Sequence, residues 1–310
     1  MTRLGVWDHG YVVLITASLM AMNGCHRAEG NGGSLPFALD VGYGASLDST
    51  GVDTAVQVDA SSDASALPTR ATQTVVPAGR YASLQRLSTL MTLPPTGSAV
   101  ETVNTSISLH EVTHVSDKVH VVSTTCGMWQ PEITGVQTVF SQSFVDAIPS
   151  WSSTIHVGTS DGGDVLFELV TQTIIFGAEL ADPENSPLPT EADAPQVRDP
   201  DGDGNPGVTV KLVGIINGQM YVVQRRSSGM AGSVNPTSGR AEGQLLGEVQ
   251  QQLIGASEPE LMQLDLAPVK HPDPNRSTFI WLPIDATETC QSLMNQGEGR
   301  FEAQGSEPAP

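Results

Sequence analysis

Two histidines and a glutamate stand at a spacing that could bind and activate a metal ion. His110, Glu111 and His114 form the pattern H-E-x-x-H. On a helix the two imidazoles would lie one turn apart, so both could bind one Zn²⁺ while the glutamate polarised a bound water. The chemistry would be metal-assisted hydrolysis, and its geometry requires a helix.

The residues on either side of this pattern favour a strand. Residues 105–109 (T-S-I-S-L) and 115–117 (V-S-D) are mostly poor helix formers. On a strand, positions i and i+4 lie ~13 Å apart, which is too far for two histidines to share one zinc ion. The pattern resembles the thermolysin-like metallopeptidases, but no downstream motif supplies a third ligand. We therefore expect solvent-facing strand residues, with a zinc metallopeptidase that uses His110, Glu111 and His114 as the alternative.

A second candidate metal site is an acidic loop that contains glycine. Asp199, Asp201 and Asp203 alternate along the chain and Gly204 follows them, so three carboxylates could surround a hard cation. The pattern D-x-D-x-D-G resembles the first half of an EF-hand calcium loop. That resemblance implies Ca²⁺ as cofactor, three side-chain ligands and a backbone carbonyl ligand from Asn205. The family's bidentate glutamate at the twelfth position is absent, so the alternative is a solvated turn that leads into the next strand.

Other patterns of catalytic residues give no assignment. The chain has no Walker A motif and no G-x-G-x-x-G after a strand. Arg225 and Arg226 form a lone basic pair in an acidic chain, which we expect at a solvated strand end rather than in a ligand site. We therefore assign no catalytic residue.

The charge balance excludes some classes of partner. Asp and Glu total 34 against 14 Lys and Arg, which gives a net charge of -20. The resulting field repels phosphate backbones, so we expect no nucleic-acid partner. Charged residues make up only 15% of the chain, whereas Gly (31) and Pro (21) are plentiful, and this balance favours strands joined by turns.

The N-terminus has the layout of an export signal. Residues 11–22 are uncharged and mostly apolar, and Arg3 precedes them. This run is too short to span a bilayer but matches the apolar middle of a secretory signal, with a buried helix as the alternative. The residues that follow, Met22, Asn23, Gly24 and Cys25, resemble the lipobox of bacterial lipoproteins, although Met22 and Asn23 depart from its usual pattern.

The lipobox resemblance implies a tethered mature protein. Residues 1–24 would be the signal peptide, and Cys25 would carry the lipid that binds the membrane. Residues 25–73 are rich in Gly, Ser, Ala, Thr and Asp, and this composition predicts a disordered spacer. His26 replaces the aspartate associated with inner-membrane retention, so the resemblance implies the outer membrane.

The cysteine count predicts a disulfide. With Cys25 lipidated, Cys126 and Cys290 remain as an even pair in a compartment that permits disulfides. We expect them to be bonded, and two separate buried thiols are the alternative.

The folded region is expected at residues 74–294, with an acidic surface loop at 182–207 and a disordered tail at 295–310. Residues rich in β-branched and aromatic side chains predict strands at 118–124, 164–176, 208–216, 219–224 and 277–282. Asn217-Gly218 is a hairpin signal between two of them. Apolar residues at helical spacing within 81–91 predict a short helix.

We therefore predict an all-β fold with little helix, an antiparallel sandwich or barrel. Residues 106–128 align faintly with 208–230, so one hypothesis is a fold of two duplicated β units, and chance similarity between two amphipathic hairpins is the alternative. The N-terminal layout and the acidic loop together resemble uncharacterised lipoproteins of Gram-negative bacteria, and no activity follows from that resemblance. We expect an envelope-tethered binding or structural protein whose ligand is a protein or a small molecule.

Overall fold

The structure is a computed structural model that describes residues 76–93, 98–264 and 267–302. The predicted signal peptide, Cys25, the spacer and the end of the tail lie outside the described residues. No helix among those that are described is long and apolar enough to cross a membrane.

Twelve strands and three short helices make up the described chain. They are β1 (Gly79–Leu93), β2 (Ser98–Val115), β3 (Lys118–Trp129), β4 (Val136–Phe140), α1 (Gln142–Asp146), β5 (Trp151–Asp161), β6 (Asp164–Phe176), β7 (Val208–Gly214), β8 (Gly218–Val234), β9 (Ala241–Leu246), β10 (Val249–Ala256), β11 (Val269–Lys270), β12 (Thr278–Ile284), α2 (Cys290–Gln296) and α3 (Gly299–Glu302). Short 3-10 turns occupy Pro259–Gln263 and Pro274–Arg276. The predicted all-β class is confirmed.

Eight strands close into a ring, which is the barrel form of the predicted architecture. The order is β8-β6-β5-β3-β2-β1-β12-β9, and β9 pairs back with β8. All neighbouring pairs are antiparallel. At the closing pair Gly232 faces Gly243, and a β-carbon on Gly243 would collide with the backbone of Ala231 and Gly232. Glycine is therefore required for the close approach that shuts the ring.

A smaller group of strands extends from one side of the ring. The first half of β8 pairs with β7 on one edge and with β10 on the other, and β4 adds to β7. We call β4, β7, β10 and this half of β8 the side sheet. The β7–β8 turn contains the predicted Asn217-Gly218 hairpin, where the Asn217 side chain accepts a hydrogen bond from the Gly214 N–H at 3.1 Å.

Three clusters of buried side chains stabilise these layers. The ring interior is built around Tyr81, Phe167, Phe279 and Trp281. The inner face of the side sheet contributes a second cluster with Phe144, Phe176, Val210, Leu212, Met220 and Val222. The third lies outside the ring, where Leu84, Ile107, Leu282, Leu293 and Phe301 pack under the C-terminal helices. Burial of apolar area in each cluster is the main stabilising term.

The helix predicted within residues 81–91 is wrong, because this segment belongs to β1. Tyr81 lies in the ring interior whereas Ala82 and Leu84 belong to the outer cluster. Both faces of the strand are buried, so apolar residues occur on each face and produce an accidental helical spacing.

The predicted end of the folded region at residue 294 is too early. The described chain continues through α3, whose Phe301 is 1% exposed and packs in the outer cluster. Arg300 pairs with Glu288 at 2.7 Å, and Arg86 of β1 pairs with Glu298 at 2.5 Å. These contacts pack residues 298–301 against the rest of the fold, although their composition predicted a disordered tail.

The predicted disulfide is confirmed. Cys126 of β3 is bonded to Cys290, the first residue of α2, across a sequence separation of 164 residues. The bond fastens the C-terminal helices to the ring, over the outer cluster.

Replacing both Cys126 and Cys290 with serine should lower the free energy of unfolding by about 4 kcal/mol, because the closed loop restricts the unfolded chain. Chemical denaturation monitored by Trp fluorescence measures the change. Cys25→Ser is the matched control and should leave the midpoint unchanged. An unaltered midpoint in the double variant would contradict this role of the bond.

Candidate functional site

The structure places the H-E-x-x-H pattern on strand β2. His110 is fully buried inside the ring, where Nδ1 lies 2.8 Å from Ser123 Oγ and Nε2 lies 2.9 Å from Ser83 Oγ. Its imidazole stacks on Trp281 with ring centroids 4.4 Å apart. Gln85 extends the polar contacts by donating to Ser83 Oγ at 3.1 Å. Both ring nitrogens of His110 are therefore occupied by neutral partners.

The expectation that these residues face solvent is wrong for His110 and right for Glu111 and His114, which are exposed. His110 lies with buried Ser108 and Val112 on the face of β2 that points into the ring, whereas Glu111 is on the other face and His114 lies at the exposed end of the strand. His114 Nε2 lies 2.8 Å from a backbone carbonyl oxygen of residue 76. His114 is four residue steps along the strand from His110, which separates their α-carbons by ~13 Å, so the structure does not bring the two histidines to one metal ion.

The acidic loop brings three carboxylates together. Ligand oxygens of Asp199, Asp201 and Asp203 lie within 4.8 Å of one another, and no other such group of metal-ligating side chains occurs among the described residues. Asp199 accepts hydrogen bonds from the N–H groups of Gly202 at 2.8 Å and Gly204 at 2.9 Å, which curl the loop around it. The three aspartates predicted as side-chain ligands therefore lie together, and calcium binding by them stays a prediction.

Asp201 is the buried member of the three and is 8% exposed. Its Oδ2 accepts from the Thr209 N–H at 3.0 Å, while Oδ1 is buried without a hydrogen-bond partner. Burial raises the pKa of Asp201, and the negative charge of Asp203 adds to the rise although the Thr209 N–H opposes it. An unpaired buried carboxylate oxygen is costly unless a cation or proton compensates it.

Asn205, the fourth predicted ligand, directly follows this group. Its backbone N–H and its side-chain amide donate to Asp203 at 2.9 and 3.1 Å. The side chain therefore orients Asp203, and the backbone carbonyl oxygen is the atom that the EF-hand resemblance assigns as a ligand.

Another enzyme-like pattern, which was not among the sequence predictions, lies in the hairpin between β5 and β6. Residues 158–162 (G-T-S-D-G) match G-x-S-x-G. A serine nucleophile in that pattern needs a sharp strand-to-helix turn. Here the segment spans the end of β5 and the turn into antiparallel β6, so the required backbone is absent from this hairpin.

A cavity with a volume of about 110 Å³ lies between the side sheet and the far ends of β1 and β2. Most of its lining is apolar, and the larger side chains are Leu87, Met91, Met128, Phe140, Phe144, Phe176, Leu212 and Met220. The polar residues are few and include Thr89, Asn104, Gln130, Gln224 and Arg226. A preformed apolar cavity with a few convergent polar groups is the usual form of a small-molecule site.

Arg226 lines this cavity, so the expectation of a solvated strand end is wrong for it. The side chain shares its face of β8 with Met220, Val222 and Gln224, which also line the cavity. Arg225 lies on the opposite face and donates to the Pro183 carbonyl oxygen of the acidic loop at 2.7 Å. The sequence contains a signal for this placement. Alternate residues of a strand share a face, and Arg226 follows apolar Met220 and Val222 at even spacing, whereas Arg225 does not.

The surroundings of Arg226 make it unusual in this chain. Two further cavities of about 10 Å³ each are also lined by Arg226, so the side chain lies where three cavities meet. The Arg226 side chain is half-buried and lines all three cavities. Burial accordingly lowers the pKa of the Arg226 guanidinium. Arginine nevertheless stays charged in proteins.

Comparisons with known proteins identify no relative: no family model, no curated protein and no solved structure matches the chain.

The buried imidazole should make stability depend on pH. Burial lowers the pKa of His110 from 6.5 to about 3. Between these two pKa values His110 is protonated in the unfolded chain but neutral in the native chain. The free energy of unfolding should therefore fall as pH decreases through this window. Denaturant unfolding at several pH values measures the slope. His110→Gln should flatten it, whereas His120→Gln, the control, should retain it; an equal slope in the His110 variant would contradict the assignment.

Proposed function

We propose that this protein binds a small, largely apolar molecule in the cavity beside the ring. The observation that supports the proposal is the lining itself, in which Phe140, Phe144, Phe176 and Met220 surround a preformed space while the ring interior is filled by side chains. Transfer of an apolar molecule from water to such a lining is favourable.

We also propose that the binding protein is tethered to the cell envelope of a Gram-negative bacterium, at the outer membrane through a lipid on Cys25. Two observations support this proposal. The first 25 residues have the layout of a lipoprotein signal. The Cys126–Cys290 bond is of a kind that persists in exported compartments and is rare in the cytosol. A tether would keep the cavity near the membrane, where apolar molecules concentrate.

Filling the cavity should abolish binding. Thr138 of edge strand β4 lines the cavity, whereas its neighbour Val139 is exposed. Thr138→Trp should weaken binding of the neutral fluorophore N-phenyl-1-naphthylamine by about tenfold or more, because the indole occupies its space. Val139→Trp places the same side chain on the other face and should bind like the wild type.

The measurement is the fluorescence increase during titration of the full chain, with circular dichroism to show that both variants are folded. Saturable binding that is lost only in Thr138→Trp supports the proposal. Absence of saturable binding by the wild type, or equal binding by both folded variants, would overturn it.

We propose a second function for the acidic loop, which is calcium binding by Asp199, Asp201, Asp203 and the Asn205 carbonyl. The supporting observation is the Oδ1 atom of Asp201, which is buried without a partner within a cluster of three carboxylates. Calcium prefers oxygen ligands and takes six to eight of them, so waters would complete the shell. The ion would offset the repulsion among these carboxylates and stabilise the connection between β6 and β7.

Calcium should therefore raise the melting temperature. We expect a reproducible increase for the wild type at millimolar Ca²⁺ relative to chelator, because a ligand that binds only the folded state stabilises it. Asp201→Asn keeps an acceptor for Thr209 but removes the charge, and should lose most of the increase. Asp193→Asn, an exposed change in the same loop, is the control. No calcium effect on the wild type would reject the site.

A further inference from the structure

The pairing pattern of the arginines singles out one cation. Most arginines of the described chain contact a carboxylate or carbonyl oxygen: Arg80, Arg86, Arg198, Arg225, Arg240, Arg276 and Arg300. The Arg226 guanidinium has no hydrogen bond and no ion pair with any described residue, although the chain carries 34 acidic residues. Among the described arginines, Arg226 is therefore the half-buried one without an anionic partner.

The residues around Arg226 do not compensate its charge. None of the described residues that line the main cavity is Asp or Glu. Glu248 lines one of the two smaller cavities, but it is exposed and forms no ion pair with Arg226. Each smaller cavity has a volume of about 10 Å³, which is room for roughly one water molecule. A guanidinium that is partly withdrawn from water and has no acidic neighbour in the cavity lining is available to an anion from outside the chain.

A second polar group in the same cavity is also unsatisfied. Thr89 of β1 lines the cavity, is fully buried, and its Oγ1 atom has no hydrogen-bond partner. The Oγ1 atom itself is enclosed by neighbouring atoms, so a ligand in the cavity would reach it only after a movement of the Thr89 side chain. Among the described lining residues Arg226 is therefore the cation of a mainly apolar wall, and its guanidinium can donate hydrogen bonds to an oxygen anion.

We infer that the ligand is an apolar molecule that carries one carboxylate, and that Arg226 binds this carboxylate while the apolar body contacts the aromatic and methionine side chains. The inference rests on the proposed function and adds the chemical class of the ligand. The guanidinium is a planar fork of donors that matches the two oxygens of a carboxylate. The acidic exterior repels anions in general, so burial of the apolar body supplies the attraction that brings this class of anion inside.

The test compares two ligands with the same body. Decanoate and 1-decanol share an alkyl chain but differ in the charge of the head group. Each is titrated by calorimetry into the full chain, and displacement of N-phenyl-1-naphthylamine is followed in parallel. The wild type should bind decanoate about tenfold or more tightly than 1-decanol, because charge-assisted hydrogen bonds form only with the anion.

Two variants identify the residue responsible. Arg226→Gln removes the charge but keeps an amide donor, and it should reduce or abolish the preference for decanoate. Lys211→Gln removes the same charge from an exposed residue of β7 that does not line the cavity, and the preference should persist. Continued binding of the neutral fluorophore by Arg226→Gln shows that this variant is folded with an intact cavity.

The outcomes separate this inference from the proposed function. If the fluorophore and 1-decanol bind but decanoate binds no more tightly, the charge inference fails while the apolar site stands. The same conclusion follows if a preference for decanoate survives in Arg226→Gln. If none of the three compounds binds the wild type, the proposed function fails and the inference fails with it.

Discussion

The backbone pairing of strand β8 is the constraint on which the rest of the structure depends. Its two edges are shared among four strands, with β7 and then β6 on one edge and β10 and then β9 on the other. The second half of β8 closes the ring and the first half supports the side sheet. Every backbone donor and acceptor in so long a strand needs a partner, and this need keeps the two halves of the molecule in register. Arg226 lies near the change of partners, opposite Val249 of β10 and Ile174 of β6.

The two compartments that β8 joins differ in how they are filled. The ring interior is a packed core, with an aromatic cluster and the bonded polar group around His110, although the Nε1 atom of Trp281 is buried there without a hydrogen-bond partner. The space beside the side sheet is an apolar cavity with an unpaired guanidinium. Good packing and satisfied polar groups are the rule in protein interiors, and departures from both at one place mark a site rather than a core. The physical contrast between the compartments is what directs the functional proposal to the second one.

Local signals in the sequence predicted the strand class, the Asn217-Gly218 hairpin and the Cys126–Cys290 bond, because each depends on residues that carry a strong individual preference. The closure of the ring by β8 and β9 is a non-local pairing whose register no short window contains. The helix expected within residues 81–91 failed because both faces of β1 are buried. His110 was expected in solvent because its side chain is polar, and only its position in the closed ring explains its burial.

The candidate site was harder to predict than the fold. Three aspartates in an alternating loop are visible in the sequence, and the structure does bring them together. A single arginine at the end of an apolar alternation is equally visible, but its meaning depends on the far ends of β1 and β2, which supply the opposite wall of the cavity. The role of a residue like Arg226 follows from what is missing around it, and a missing partner has no signature in the sequence.

The claim that Arg226 has its ionic partner outside the chain is tested most directly by a crystal structure of the protein with decanoate. The account predicts electron density for the alkyl chain in the cavity and carboxylate oxygens at about 2.7–2.9 Å from the Arg226 guanidinium nitrogens. A carboxylate that faces solvent while the guanidinium contacts only water would contradict it, as would an ion pair between Arg226 and a carboxylate of the protein itself.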